Sequence, residues 1–420
     1  MRAGIRPHCI DLFCDTDLAD ACRLHAAPPP VQIGDFSDLL QAVRNVPDSI
    51  PLVWAGGLEN QPDVLDQLSD RFRVCGPPSS VVRSMTDPTQ LRSIVTSTDA
   101  STPNVLETDE DAGKRSGRWL IKPRRGSGGI GIRSWSRGDV IEAEDYLQEE
   151  VEGVPISALY VGSTTGAQML AASIQLTGEK SLGGVGMQFC GNIGPLTLPP
   201  WLNSVLTEVG SRIGQHGLIG VFGADFVVSP NNVWLIEVNP RITASHEIYD
   251  LLAVGPGLLE QHLEQSLPDI GWAGNEVFAK PPCRSEQLLA RLIVYAQHDT
   301  SVDAAAVAQL RRCSRFARPV DNSRHRAEMI GESTWIADIP SVGPIQRGQP
   351  FCSIYCLRQH SEIGQAGRTT RNAAIEQLVG SFTGLPPDGI FTPIERWDSL
   401  FAAAVAGDNA NWSVPDACRL

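Results

Sequence analysis

GVFGADFVVSPNNVWLIEVNPRITAS, residues 220–245, is the stretch that decides how this chain reads. Two apolar, strand-like runs flank the turn SPNN, the pattern of a β-hairpin. Asp225 lies in the first strand, and Glu237 and Asn239 lie in the second. Residues two apart on a strand project from one face, so Glu237, Asn239 and Arg241 line up. Hairpin closure then brings Asp225 beside Glu237. Two carboxylates and an amide oxygen on an otherwise apolar face suit Mg2+ shared with phosphates. A solvated hairpin face with a stray ion pair is the plainer alternative. Three hard oxygen donors and an arginine within so short a stretch make it the weaker one.

Upstream, WLIKPRRGSGGIGI (119–132) delivers Lys122 at the end of a strand into a loop holding Gly126, Ser127, Gly128, Gly129 and Gly131. Glycines let successive backbone N–H groups approach phosphate oxygens, and a lysine supplies charge. The loop is neither a Walker loop, lacking GKS or GKT, nor a Rossmann fingerprint, since no clear helix follows. Taken alone it fits a glycine-rich β-hairpin as well as a phosphate lid. Between the two lies LQEEVEGVPIS (147–157), a strand ending in an acidic turn, which says little by itself.

Working outward, residues 1–80 alternate strand and helix. CIDLFC (9–14) and IPLVWAGG (50–57) read as buried strands, and PDVLDQLSDRF (62–72) reads as a helix led by proline. That order favours a parallel sheet. Residues 119–255 read as α+β, with strands, glycine turns and a clear helix at 201–217. The tail from about 280 shows the strands LLARLIVYA, WIADIP and PFCSIYC.

A chain of 420 residues is too long for one ordinary core, so two or three domains are expected. The net charge of -14 excludes a general nucleic-acid or anionic-membrane binder, both of which need a basic surface. Ten scattered cysteines without a CxxC pair read as reduced, mostly buried thiols. No apolar run is long enough to span a bilayer and no signal-peptide pattern opens the chain, which points to the cytoplasm.

Taken in order, the lysine–glycine loop, the acidic strand end and the carboxylate hairpin resemble the ATP-grasp superfamily, which includes biotin carboxylase, D-alanine–D-alanine ligase and carbamoyl phosphate synthetase. The resemblance runs from residue 1 to about 260 and more weakly beyond. Its most specific part is the spacing of Asp225, Glu237, Asn239 and Arg241, which is that of biotin carboxylase. It implies an ATP-grasp fold, α/β plus α+β. The N-terminal Rossmann-like domain would span 1–80. The ATP-grasp domain would span 81–275, with its lid at about 115–160 and metal strands at 220–245. A small β-rich domain would span 276–420.

By position, the resemblance implies that Lys122 binds the phosphates of ATP and that the loop from Gly126 to Gly131 closes over them. Gln148 would stand in for the usual acidic adenine contact, with the backbone of Glu149, Glu150 and Val151 as hinge. Asp225, Glu237 and Asn239 would hold Mg2+ (or Mn2+), and Arg241, with Lys122, would stabilise the charge of an acyl phosphate or its adduct. The substrates implied are a small carboxylate and an amine, and a homodimer is compatible with similar enzymes.

Three departures stand out. The family's second phosphate lysine falls on Pro88, with Arg83 or Arg92 as candidate replacements. The hinge acid that grips the ribose falls on Pro155, leaving that work to Glu152, to another group or to none. The first strand of the N-terminal domain is absent, which favours a start upstream of Met1. WIADIPSVGPIQRGQPFCSIYC (335–356) resembles the small β domain that follows the core in biotin carboxylase-like ligases, although a generic β-rich terminal domain fits equally. His246 and Glu247 are placed to face the substrate, and a structural role suits His246 at least as well. More narrowly, WAGGLENQPDVLDQLSD and LIEVNPRITAS resemble carboligase-related ATP-grasp proteins, some linked to tetrahydromethanopterin or methanofuran one-carbon metabolism. The expected activity is amide formation through an acyl phosphate. The alternatives are an ATP-dependent carboxylase using bicarbonate and a nucleotide-binding regulatory protein without turnover.

Overall fold

The computed structural model describes residues 5–108, 117–230, 232–252, 257–270, 287–314, 334–359, 370–386 and 389–394. In the N-terminal region, β1 (Ile10–Asp11) pairs parallel with β2 (Val31–Gln32), and β3 (Leu52–Val53) pairs parallel with β4 (Val74–Cys75). Helices α1 (Thr16–Leu24), α2 (Leu39–Ala42), α3 (Pro62–Ser69), α4 (Ser79–Thr86) and α5 (Leu91–Val95) accompany them. The parallel pairing follows the strand–helix alternation, since a parallel return needs a crossover. The pairs are only two residues long and form two separate sheets instead of one. Trp54, Leu58, Leu65, Leu68 and Phe72 bury the α3 stripe against this layer.

Strands β5 (Ala100–Ser101), β6 (Val105–Leu106), β7 (Trp119–Pro123), β8 (Arg133–Ser134) and β9 (Asp145–Glu149) come next. The last four form an antiparallel sheet ordered β6-β9-β7-β8. Trp119, Ile121 and Leu147 form its small core on one face, and the alternation of the strands turns Lys122 to the other.

The main body is a nine-stranded sheet. Its members include β10 (Val154–Ser163), β11 (Gly166–Thr177), β12 (Phe189–Gly194), β13 (Gly220–Ser229) and β14 (Asn232–Asn239). Farther along the chain come β15 (Gln287–Tyr295), β16 (Thr300–Val302), β17 (Thr334–Ala337), β18 (Gly343–Ile345) and β19 (Pro350–Gln359). The order is β17-β19-β15-β12-β11-β10-β13-β14-β5, with β16 and β18 in a pair of their own. The tail strands therefore continue the sheet that carries the carboxylate hairpin. They do not stand apart as a free β unit, because β15 hydrogen-bonds along β12 from Gly191 to Gly194.

One helix shows how the sequence builds this body. In α6 (Pro200–Gln215) the buried Leu202, Val205, Leu206, Val209 and Ile213 recur at helical spacing, and a proline opens the first turn. Gly210 lets the helix descend onto the sheet, since a Cβ there would meet the Tyr160 ring at 2.0 Å. Tyr160 is fully buried and its hydroxyl donates to Leu206 O at 2.9 Å. Helices α7 (His246–Leu252), α8 (Leu258–Ser266), α9 (Ala304–Cys313) and α10 (Thr370–Thr383) complete the chain.

The eight cysteines among the described residues are all free, and five of them are buried. No helix among the described residues is long and apolar enough to cross a membrane. Cys283 and Cys418 lie outside the described residues.

Candidate active site

The cavity face of the large sheet carries one polar row. Register places Glu237 opposite Asp225, Asp225 opposite Ser157, and Ser157 opposite Ser173. Gln175, two residues on and so on the same face, pairs with Asn192, and Asn192 pairs with Arg291. Above this row lies a cavity of about 680 Å3, walled by the glycine loop, the end of β9 and the segment after β14. A smaller cavity of about 100 Å3 adjoins it, and Lys122, Glu237, Asn239 and Arg241 line both.

Asp225 and Glu237 face each other across a hairpin whose register shifts just beyond them. Solvent reaches Glu237 from the cleft, yet protein surrounds the pair closely. Burial raises the Asp225 carboxyl well above its ordinary range, and the charge of Glu237 raises it further. Burial also works against ionised Glu237. Lys122 and hydrogen bonds from Asp225 and Asn239 outweigh it and hold Glu237 low. The pair therefore prefers one shared proton or a cation. The neutral Asn239 amide bridges the pair by hydrogen bonds, its Nδ2 donating to Asp225 Oδ2 at 3.0 Å and to Glu237 Oε1 at 3.2 Å. Asp225 Oδ1 is buried without a hydrogen-bond partner among the described residues.

These observations fit a hard divalent cation. A buried carboxylate oxygen lacks a partner, its neighbour is held ionised, and both carboxylates offer oxygen, while Asn239 presents its nitrogen and its oxygen faces Arg241. Among the described residues no cluster of three or more His, Cys, Asp or Glu forms a closed cage. An open two-carboxylate site suits Mg2+, which keeps waters and phosphate oxygens in its shell.

Lys122 is buried, and its Nζ donates to Gln148 Oε1 at 3.1 Å. Gln148 thus orients the lysine as well as lining the cavity. Arg241 is held from the N-terminal region. Its Nε donates to Glu59 Oε1 at 2.6 Å, and its Nη2 reaches Asn239 Oδ1 at 3.3 Å. Glu59 is buried, its other oxygen accepting from Gly57 N at 2.6 Å. The guanidinium also lies 3.5 Å from where a Cβ of Gly56 would stand. The glycine loop is pinned at two points. Asn60 Nδ2 donates to Gly126 O at 3.1 Å, and Phe189 N donates to Gly128 O at 2.8 Å. Gly129 sits against Met187 O, where a Cβ would come within 1.9 Å, and its φ is +72°.

The other expected residues fall as follows. Ser127, Gly128, Gly129, Glu149, Glu150 and Val151 line the large cavity, while Gly126 lines the small one. Gly131 stays in the loop, its φ at +84°. The amides of Glu149 and Glu150 donate to Asn104 O and Arg118 O. His246 lines the cavity, and its Nδ1 is tied to Thr243 O at 2.7 Å. Arg83 lines neither cavity and is ion-paired with Asp63 and Asp66 on the surface, away from the position expected of the missing cation. Arg92 is exposed and lines neither cavity. Arg124 does line the small cavity beside Lys122, paired with Glu107 and stacked over Tyr146. Glu152 is exposed, paired with Arg118 and outside the cavity lining, whereas Pro155 lines the cavity.

Sequence reading missed Glu59, Asn60 and Arg124. The string WAGGLEN carried the signal for the first two, through a glycine pair directly before an acid and an amide.

Among known proteins, residues 90–245 match the ATP-grasp domain family. An uncharacterised protein of Methanocaldococcus jannaschii is 28% identical over 141 residues, which are 32% of this chain and 33% of that protein. The chain thus spans about a third of that relative. The biotin carboxylase of Campylobacter jejuni superimposes with a TM-score of 0.62 at 12% identity, covering 96% of this chain and 94% of that one. The L-amino acid ligase of Bacillus licheniformis does so with a TM-score of 0.56 at 14% identity, covering 89% and 98%.

Proposed function

We propose, from the premise that this chain has the ATP-grasp fold and that residues 90–245 are its ATP-grasp domain, that it is a Mg-ATP-dependent ligase joining a carboxylate to an amine through an acyl phosphate. The observation that carries this reading is the meeting of Lys122, Asp225, Glu237, Asn239 and Arg241 around two joined cavities. The Methanocaldococcus match spans about a third of either chain, so it lends no substrate to this one.

Asp225 and Glu237 would hold Mg2+, with Asn239 completing the set once its amide oxygen turns inward. Bound there, the ion would neutralise phosphate charge and align the γ-phosphoryl group. Lys122, held by Gln148, and Arg124 face the same phosphates, so Arg124 takes the place of the second lysine. The glycine loop caps them with backbone amides and excludes water. At the hinge, the amides of Glu149 and Glu150 are already bonded within the protein. Adenine recognition there falls to carbonyls and to Val151.

In the first step an oxygen of the substrate carboxylate attacks the γ-phosphorus and ADP leaves. In the second the amine nitrogen attacks the acyl carbon, inorganic phosphate leaves, and the nitrogen loses its proton. Arg241 stands where negative charge gathers in both, and Glu59 fixes its direction.

The test is ADP release from the purified chain with Mg-ATP and pooled acids and amines, with and without bicarbonate, followed by mass spectrometry. A new amide mass supports the ligase. Release that requires bicarbonate replaces it with the carboxylase, the reading favoured by the likeness to biotin carboxylase.

A further inference from the structure

The far end of the large cavity has features that phosphoryl transfer does not use. Asn192 is 1% exposed and sits on the cavity face of β12, between Gln175 and Arg291 in register. Its Nδ2 donates to Ser173 Oγ at 3.1 Å and to Ile174 O at 3.3 Å, which fixes the amide. Its Oδ1 is left buried with no hydrogen-bond partner among the described residues, and Asn192 lines the cavity. A buried carbonyl oxygen without a donor is costly, so this oxygen calls for an N–H or O–H from a ligand.

The charge around it says which. Arg291 reaches Asp338 at 2.8 Å and Glu247 at 3.2 Å, so its charge is already answered. Asp11 and Glu247 line the same cavity. Asp15 makes no ion pair among the described residues. Burial, with Asp338 and Asp17 nearby, pushes its carboxyl up to about 7. Asp15 therefore takes up a proton readily, and the single charge of Arg291 is set against Asp338, Glu247 and Asp11, an excess of negative charge on the cavity that holds this unpartnered acceptor. It lies three strand spacings from Asp225, about 14 Å along the sheet.

We propose that the Asn192 end of the cavity is a subsite for a protonated amino group carried by the substrate at the end remote from its reacting centre. The substrate is then an extended diamine, polyamine or ω-amino acid. This rests on the ATP-grasp reading, which places the reacting centre at the Asp225 end. Asn192 Oδ1 accepts one N–H, and the surrounding carboxylates balance the charge. A simple fatty acid leaves both unanswered, and a neutral alcohol can donate to the oxygen but leaves the charge unbalanced.

The experiment is calorimetric titration of the full chain loaded with Mg-ADP, using 6-aminohexanoate and 1,4-diaminobutane as probes and hexanoate and 1-butanol as controls. The amino compounds bind at least tenfold more tightly than the controls. Asn192→Leu weakens them by about tenfold or more, the effect of losing a hydrogen bond to a charged group, and leaves Mg-ADP affinity within twofold. Asn192→Asp strengthens them, and this reversal of sign carries the test if the leucine variant does not fold. Equal binding of hexanoate and 6-aminohexanoate, indifference to both substitutions, or no binding of either amino probe to the loaded chain overturns the subsite. Failure of the wild-type chain to bind Mg-ADP is a separate result and overturns the ATP-grasp reading beneath it.

Discussion

Arg241 and Glu59 are 182 positions apart in sequence yet share a buried ion pair, and no spacing rule joins them. Removing one partner of such a pair leaves the other buried and uncompensated, at a cost of about 3–5 kcal/mol. Glu59→Gln keeps the shape and removes the charge. Turnover should fall about ten- to hundredfold, equivalent to about 1.4–2.7 kcal/mol of barrier, while Mg-ADP affinity stays within twofold. The split between kcat and nucleotide affinity in steady-state assays checks this. Asp225 gives a second prediction. Its folded value is raised, so without a cation it contributes stability at low pH that is lost as pH rises through that value. Mg-ADP favours the ionised form and should remove this loss. Melting curves from pH 5 to 9 should slope downward without Mg-ADP and flatten with it. Asp225→Asn should remove the slope and weaken Mg-ADP binding. Lys122, Asp225, Glu237 and Asn239 could be placed from the sequence because strand periodicity sets their faces, whereas Arg241 lies beyond the end of β14 and was found only by its short spacing from them. Glu59 was not, since a buried acid in a short turn has no period, and Arg124 hid in a basic run that reads as solvated.

At the level of elements, the glycine loop and the turn Leu58–Asn60 act as one unit. The turn holds Arg241 through Glu59 and the loop through Asn60. Asn60→Ala removes one of the two pins on the loop, which should speed release of a fluorescent ADP several-fold in stopped-flow displacement, with little change in melting temperature. Gly129→Ala should do more, because its φ is left-handed and its Cβ would strike Met187 O. Nucleotide affinity should then drop by tenfold or more. The hairpin around Asp225 and Glu237 was plain from its turn and apolar runs. The two-residue parallel pairs of the N-terminal region were legible as strands and helices, but their separation into two sheets was not, because pairing depends on partners outside any local window.

For the whole molecule, the continuous sheet matters most. Strands β15, β17 and β19 extend the body that carries the carboxylates, and β15 brings Arg291 into the cavity. The sequence showed a β-rich tail, yet could not show which edge it joins, since paired residues of β12 and β15 lie 95 to 101 positions apart. A chain truncated after residue 275 would leave β12 as an open edge, prone to pairing with other chains. That fragment should aggregate or melt without cooperativity, whereas the full chain should show one main transition. Under the proposed function, the Asp225–Glu237 pair serves Mg-ATP-driven ligation. Its most direct test is ADP release by wild type and Glu237→Ala in Mg-ATP with pooled carboxylates and amines. Wild type should release ADP with a matching new amide mass, and the variant should lose at least a hundredfold, about 2.7 kcal/mol. Equal ADP release by the two proteins would contradict it.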